Sequence, residues 1–550
     1  MKVKAANGLA RILKTENIPW VATFPTSGVN NALGQEGIPM IMMRDERYAV
    51  AVSDAFSRIT SGKKIGVCTV MGSLNAAGIQ MAYGAVAQAF EDGSPLICIT
   101  DSVPVGASGS SHYDIMLGFK AVTKWIGHID MPQRVPEIMG RVFTYLRSGR
   151  PGPILITIPQ GLGEYDENEY PYTPVKGWKW APDPDDVKAA VKGLLAAKNP
   201  LVYVGEGVFY ADATDELLRF AELAQVPVLT TLKGKSAFPE NHPLSVGVRG
   251  ELAESFLSNC DLLFAIGSSI SPGRFSHAIP DAGHKTIVQC TINELDVNRS
   301  YRVDHAVIGD AKFTLQALID ELSRQSGGGV KSNQKLISEI RAGKEQFLAK
   351  YRPLMESNDK PINPYRVYGD LMKDIDPHNS FITHESGNTR DQISTVYEAV
   401  IPRGFLGWGN VSTLGFSLAG VMAAKLVYPE RQCVNITGEA GVGYMIGNFE
   451  ALVRYNIGVT TIHINNGGFG GYGPGFWGEG HAPYTYEVSD HSVVNYSEAV
   501  KNMGYYAERV SEPSEIRPAL KRAFSENARN RPAYLEFISC QYPIYGRWVT

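Results

Sequence analysis

The chain has 550 residues, 44% of them hydrophobic and 20% charged, with a formal net charge of -4; it is too long for one core, so several domains are expected, and it carries no basic footprint for nucleic acid or an anionic membrane. Six scattered cysteines, Cys68, Cys98, Cys260, Cys290, Cys433 and Cys540, form no C-x-x-C pair and read as core residues of a reducing compartment. The opening "MKVKAANGLARILKTENI" lacks the apolar block of a secretory signal, and no run of roughly 18 apolar residues follows, so the cytoplasm is the expected location.

Leu9, Ile12 and Leu13 share one helical face, after which "PWVATF", "PMIMM", "KIGVCTV", "PLICIT" and "PILITIP" are predicted strands separated by helical stretches. That alternation predicts right-handed crossovers and a parallel sheet. The first domain, 1–165, runs out in "GEYDENEYPYTPVKGWKWAPDPDD", which loses periodicity as a surface linker does. Asp183 before Pro184 is a helix start, with Val187, Val191, Leu194 and Leu195 following at helical spacing. Strands "PLVYVGEGV", "VPVLTT", "CDLLFAIGSS" and "TIVQCTI" fill a second domain, 184–325, and the flexible "SRQSGGGVKSNQK" leads to a third, 335–550, with strands "SFITHES", "QCVNITG", "VTTIHINN" and "AYLEFIS". The fold class predicted is α/β, with three parallel-sheet domains and no solenoid-type repeat.

The densest chemistry lies in "NITGEAGVG", where Glu439 stands among small residues just after a β-branched run. Downstream, "VGYMIGNFEALVRYN" sets Met445, Phe449, Leu452 and Val453 at helical spacing, predicting a helix that returns the chain to a parallel strand ending in "HINN". Parallel strands open their following loops on one side of the sheet, where α/β proteins collect ligands. Glu439 is therefore expected to meet Asn465 and Asn466. Their oxygens suit magnesium or calcium, and magnesium takes few protein carboxylates and completes its shell with phosphate oxygens and water. A lone acid among glycines at a helix start predicts a metal bridging to a bound diphosphate. Taken singly, Glu439 reads as a helix cap and the Asn pair as a turn; the two together make the signal.

With Glu in place of Asp, "GEA…INNGGFG" resembles the magnesium–diphosphate motif of thiamine-diphosphate enzymes, in which Gly-Asp-Gly or Gly-Asp-Ala precedes Asn-Asn. The resemblance spans nearly the whole chain. "RPGPILITIP", "VPVLTTLKGKSAFPENHPLSVG" and "GNVSTLGFSLAG" are similar to the acetolactate synthase group, and "ESGNTRD" and "FEALVRYNI" to 2-hydroxyacyl-CoA lyases and oxalyl-CoA decarboxylases. The implied order is pyrimidine-binding, central Rossmann-like and diphosphate-binding domains, with the cofactor between subunits of a homodimer or homotetramer. Thiamine diphosphate and Mg2+ are the implied cofactors.

The metal would be held by Glu439, Asn466 and Gly468, and the diphosphate by Gly387, Asn388 and Thr389 with Ala440 and Gly441. By the same resemblance, the Ser412 backbone oxygen meets the pyrimidine amino group, and Leu414 wedges the cofactor into its bent shape. A side chain at Ser412 departs from the family's usual glycine. Glu46, in "PMIMMRDERYAVAVSDAFSRI", matches the acid that shares a proton with a pyrimidine nitrogen, and burial there would raise its pKa. By itself "RDER" reads as a solvated turn and Leu414 as core.

His112, in "GASGSSHYDIM", is a candidate proton carrier at the substrate, and Asn75, in "VMGSLNAAG", should border the same site. An isolated loop histidine is otherwise simply exposed. "GGFGGYGPGFWGEGHAPYTY" is either a water-excluding lid or a static packed loop. "GEGVF" is too short a signal for a nucleotide, although some relatives place FAD or ADP beside the central domain. The expected activity is that of a carbon–carbon lyase or carboligase on a small 2-oxo acid, with 2-hydroxyacyl-CoA cleavage or oxalyl-CoA decarboxylation as the alternative. A reading of another class is a non-catalytic regulatory relative, since Glu439 is longer than the usual ligand and Ser412 replaces glycine. Retention of Glu46 and Asn466 argues against that decay.

Overall fold

A computed structural model describes residues 1–24, 28–72, 77–108, 112–273, 276–408, 411–468 and 492–541. Its main strands form three six-stranded sheets, each parallel throughout, so the architecture is α/β. The first sheet runs Met40–Met42, Val21–Phe24, Gly66–Val70, Leu96–Ser102, Ile154–Pro159, Trp125–His128. In chain order, its second strand lies on the edge, followed by the first, third, fourth, sixth and fifth. The third sheet repeats that order as Phe405–Leu406, Ser380–His384, Gln432–Thr437, Thr460–Asn465, Ala533–Ile538, Tyr506–Val510. The second differs: Ser245–Gly247, Val228–Thr230, Pro200–Val204, Leu262–Ile266, Thr286–Thr291, His305–Ile308, built outward on both sides of its first strand. Central strands such as Gly66–Val70 and Leu262–Ile266 are buried at every residue, which is why they read as unbroken apolar runs.

The chain forms two compact units. One comprises Met1–Lys179, Asn410–Val427 and Gly447–Tyr455; the other comprises Trp180–Gly409, Tyr428–Ile446 and Asn456–Thr550. In the first unit, Leu9, Ile12 and Leu13 of the Ala5–Thr15 helix pack with Val67, Ile97, Ile99 and Ile154 of the sheet. A short antiparallel ribbon pairs Lys2–Lys4 with Glu164–Asp166. Helix Glu46–Ile59 is buried almost all round because it packs against the sheet, helix Ala77–Glu91 and helix Phe416–Val427. Inside this packing Arg58 binds Asp54 at 2.9 Å and Asp92 at 2.7 Å, under the ring of Phe416. A charge so deep is tolerated only when paired in this way.

The second unit holds the other two sheets. Asp183 caps helix Pro184–Ala196 by accepting from the Asp185 amide at 2.8 Å, and Val187, Val191 and Leu194 enter the core. Leu195, expected on that face, is exposed: four consecutive-turn positions make a stripe wider than the sheet covers here. Helix Gln334–Ala349 sends Ile340 into the second sheet's core.

A second expectation is corrected. The crossover after Glu439 is not a single helix but Glu439–Met445, a 3-10 turn Ile446–Asn448, and Phe449–Arg454. Gly443 and Gly447 weaken a continuous helix, and the two helical pieces bury Met445 and Phe449 in different units. No disulfide joins any of the six cysteines, and five of them are buried. No helix among the described residues is long and apolar enough to cross a membrane.

Candidate active site

Strands Ser380–His384, Gln432–Thr437 and Thr460–Asn465 are neighbours and end on the same side of the third sheet. The strand order reverses at Ser380–His384, whose sequence successor lies outward, so the crevice between its carboxyl end and that of Gln432–Thr437 is the switch point at which such sheets bind ligands. Glu439 begins the helix after the second of these strands. Its side chain crosses to the third: Oε1 accepts from the Gly467 amide at 2.6 Å and from the Asn466 amide in a still shorter contact. Asn466 turns its Oδ1 to the Gly468 amide at 3.2 Å, which closes the loop. Burial pushes the Glu439 carboxyl up to about 7, against the pull of its own, the Gly467 and the Asn466 amides, with the Glu536 charge adding to the rise. A buried carboxylate that pairs with no Lys or Arg among the described residues is where a cation is favoured.

The other side of the crevice is made after Ser380–His384. Gly387, at φ 95°, caps helix Asn388–Val396 in a conformation that favours glycine. The Asn388 side-chain oxygen is buried with no hydrogen-bond partner among the described residues, and because the amide can be flipped, the group is able to donate to an anion instead. Thr389 Oγ1 donates to the Glu385 carbonyl at 3.3 Å. Gly441 lets the two loops meet, since a Cβ there would lie 2.4 Å from Glu385 Cγ and 2.5 Å from Thr437 Oγ1. Ala440 is half-buried beside it. Amides of two helix starts thus border the crevice, an arrangement that attracts phosphate.

A second constellation lies in the first unit. Glu46 follows edge strand Met40–Met42 and starts helix Glu46–Ile59, where Asp45 caps by accepting from the Tyr48 amide at 2.8 Å. Burial raises the Glu46 carboxyl above its ordinary range, its own amide opposes, and Asp45 adds a like charge. Gly78 makes room for it: a Cβ there would lie 2.7 Å from Glu46 Oε1 and 2.7 Å from the Met71 carbonyl.

Ser412 has φ 61°, the left-handed region, so the side chain sits on a backbone that glycine adopts more cheaply. Leu414 is half-buried. The Thr413 amide before it donates to Gln88 Oε1 at 3.2 Å, and the Gly415 carbonyl after it accepts from Tyr48 Oη at 2.7 Å. Those two bonds bring the Ser412–Leu414 segment onto the helices that begin at Glu46 and Ala77. Asn448 holds the turn before Glu46, accepting from the Arg44 amide at 2.9 Å and donating to Asp45 Oδ2 at 2.8 Å.

His112 is exposed, next to the cap of helix Ile115–Phe119, and no contact joins it to either constellation among the described residues. Asn75 and the whole of the glycine and aromatic stretch after Gly468 lie outside the described residues. The glycines of "GEGVF" serve close packing: a Cβ on Gly205 would lie 2.3 Å from the Gly267 carbonyl. Sequence reading passed over Tyr48, Gln88, Asn448 and Glu385. Gln88, buried on a helix of small and apolar residues, was the one with a signal, since a polar group on such a face needs a partner.

Three family models match the chain in succession: "Thiamine pyrophosphate enzyme, N-terminal TPP binding domain" over residues 3–124, "Thiamine pyrophosphate enzyme, central domain" over 187–318, and "Thiamine pyrophosphate enzyme, C-terminal TPP binding domain" over 385–537. A probable acetolactate synthase large subunit of Methanocaldococcus jannaschii is 29% identical, across 96% of this chain and 90% of the relative. Glyoxylate carboligase of Escherichia coli O157:H7 is 26% identical, across 98% and 93%. The large subunit of acetolactate synthase isozyme 3 of Escherichia coli K12 is 24% identical, across 91% and 88%.

Proposed function

The chain belongs to the thiamine pyrophosphate enzymes, and we propose that it breaks or forms a carbon–carbon bond next to the carbonyl of a small 2-oxo acid, as a cytoplasmic homodimer or homotetramer. The observation that carries this reading is the Glu439 carboxylate, buried and bonded across two strand ends to the Asn466 and Gly467 amides. One buried acid, one amide oxygen and a tight loop fit Mg2+ that shares its shell with a diphosphate.

In this proposal Glu439, the Asn466 side-chain oxygen and the Gly468 carbonyl hold the metal. Asn388, Thr389 and the amides of Gly387, Ala440 and Gly441 hold the diphosphate. Thiamine diphosphate, when bound, would supply an acidic ring carbon able to add to carbonyls and a cationic thiazolium ring able to act as an electron sink. Leu414 sets the bend of the cofactor and the Ser412 carbonyl orients its amino group. Glu46 exchanges a proton at a pyrimidine nitrogen, a task that suits a carboxyl raised by burial. His112 and Asn75 are assigned to the substrate side, with His112 moving protons on and off substrate oxygens. FAD or ADP finds no support at Gly205, whose surroundings are filled by backbone.

Thermal unfolding with thiamine diphosphate, with and without MgCl2, tests the cofactor assignment: stabilisation that needs both is expected. Absence of any shift would favour a non-catalytic regulatory relative. Pyruvate, glyoxylate, oxalyl-CoA and a 2-hydroxyacyl-CoA are then screened for carbon dioxide or aldehyde release. Turnover of a free 2-oxo acid is expected; turnover of the CoA esters alone would overturn the substrate class.

A further inference from the structure

Resting on the assignment of Glu439 and Asn466 to the metal, we infer that Glu536 is a positioning residue for the ion-binding loop. Glu536 lies on Ala533–Ile538, the strand beside Thr460–Asn465, opposite His463 in the register, and is fully buried. Its Oε1 accepts from Asn465 Nδ2 at 2.7 Å and its Oε2 accepts from the Ser497 amide at 2.9 Å. Asn465 immediately precedes the proposed ligand Asn466, and Ser497 lies in the first turn of Tyr496–Lys501. A single carboxylate therefore ties the residue before the metal loop to the first turn of Tyr496–Lys501.

Two features separate this from ordinary packing. The Asn465 side-chain oxygen is buried with no hydrogen-bond partner among the described residues, and the bond to Glu536 is the one that orients that amide there. The carboxylate is also costly where it stands. Among the described residues its nearest cationic neighbour is Arg509 Nε at 3.8 Å, beyond hydrogen-bond reach, and an apolar β-branched residue would fit a central strand more cheaply. The cost is offset if the group holds the Asn465–Asn466 backbone at the geometry a small octahedral ion demands.

The test uses the full chain. The MgCl2 concentration giving half of the thermal shift at saturating thiamine diphosphate is compared for wild type, Glu536→Gln, which puts a donor against one of the two N–H groups, and Glu536→Asp, which withdraws the carboxylate by one methylene. An increase of roughly ten-fold or more in both variants is expected, with partial recovery in Glu536→Gln combined with Asn465→Asp, where the donor and acceptor roles are exchanged. Should Glu536→Gln fail to fold, Glu536→Asp still gives the reading. Lowered melting temperatures with an unchanged magnesium requirement would overturn the inference and leave Glu536 a structural anchor. A wild-type chain that ignores MgCl2 and thiamine diphosphate would instead remove the cofactor assignment itself.

Discussion

Ser412 holds a left-handed backbone with a side chain in place, at an expected cost of about 1 kcal/mol relative to glycine. Only its carbonyl is assigned to the cofactor, so Ser412→Gly should raise stability to urea by up to about 1 kcal/mol and keep the thermal shift with thiamine diphosphate. Loss of that shift would show that the hydroxyl itself is needed. Glu46 makes the opposite case, a side chain whose acid function is the point. Glu46→Gln keeps the shape and the capped turn before it, so cofactor and MgCl2 should still stabilise the variant, while turnover falls by about 10² to 10⁴. Undiminished turnover would dismiss the proton role. At this scale the sequence was informative where two residues signal each other along the chain, as Glu439 and Asn466 do. It was silent at Tyr48 and Glu536, because a lone polar group in an apolar helix or strand shows its partner, the Gly415 carbonyl or Asn465, only once distant segments have met.

Among the elements, helix Glu439–Met445 offers an internal control. A Cβ at Gly441 collides with Glu385 and Thr437, while one at Gly443 meets nothing within 4 Å. Gly441→Ala should therefore destabilise the chain and abolish the cofactor-induced shift, whereas Gly443→Ala should be neutral or stabilising by up to about 1 kcal/mol. Equal effects from the two would mean that the loops do not approach as closely as drawn. Within the three six-stranded sheets, the strands that periodicity missed, Trp125–His128, Ser245–Gly247, His305–Ile308, Phe405–Leu406 and Tyr506–Val510, are all edge strands, and it missed both strands of the Lys2–Lys4 and Glu164–Asp166 ribbon as well. An edge strand is short and is buried less evenly, so it lacks the continuous apolar run that marks a central strand; Tyr506–Val510 buries only its last residue. The crossover after Glu439 misled for a related reason. Its apolar residues kept helical spacing across Gly447, although they pack in two different places.

For the molecule as a whole, three histidines set a limit on acid tolerance. Burial pushes His277, His384 and His463 down to about 3, with the nearby charges of Arg249, Arg390 and Arg509 respectively adding to the shift. The unfolded chain binds protons at these sites near pH 6.5 while the folded chain does not, so their contribution is complete above that pH and is lost as pH falls toward 3. Each should add about 1.4 kcal/mol per pH unit to the slope of stability below pH 6. Chemical denaturation of His463→Gln between pH 6 and 4 should show a slope smaller by that amount, whatever the variant's stability at pH 7.5. An unchanged slope would mean that His463 is already protonated in the fold.

The hydrogen bond from Tyr48 to Gly415 joins groups 367 positions apart. At about 5 to 20 residues per second, a ribosome delivers helix Phe416–Val427 roughly 20 to 70 s after helix Glu46–Ile59 has emerged. Through that interval the early helix presents a greasy flank that nothing later in its own chain has arrived to cover. A nascent chain halted before residue 416 should accordingly be captured by a chaperone that recognises apolar surface, and one released beyond residue 460 should let go.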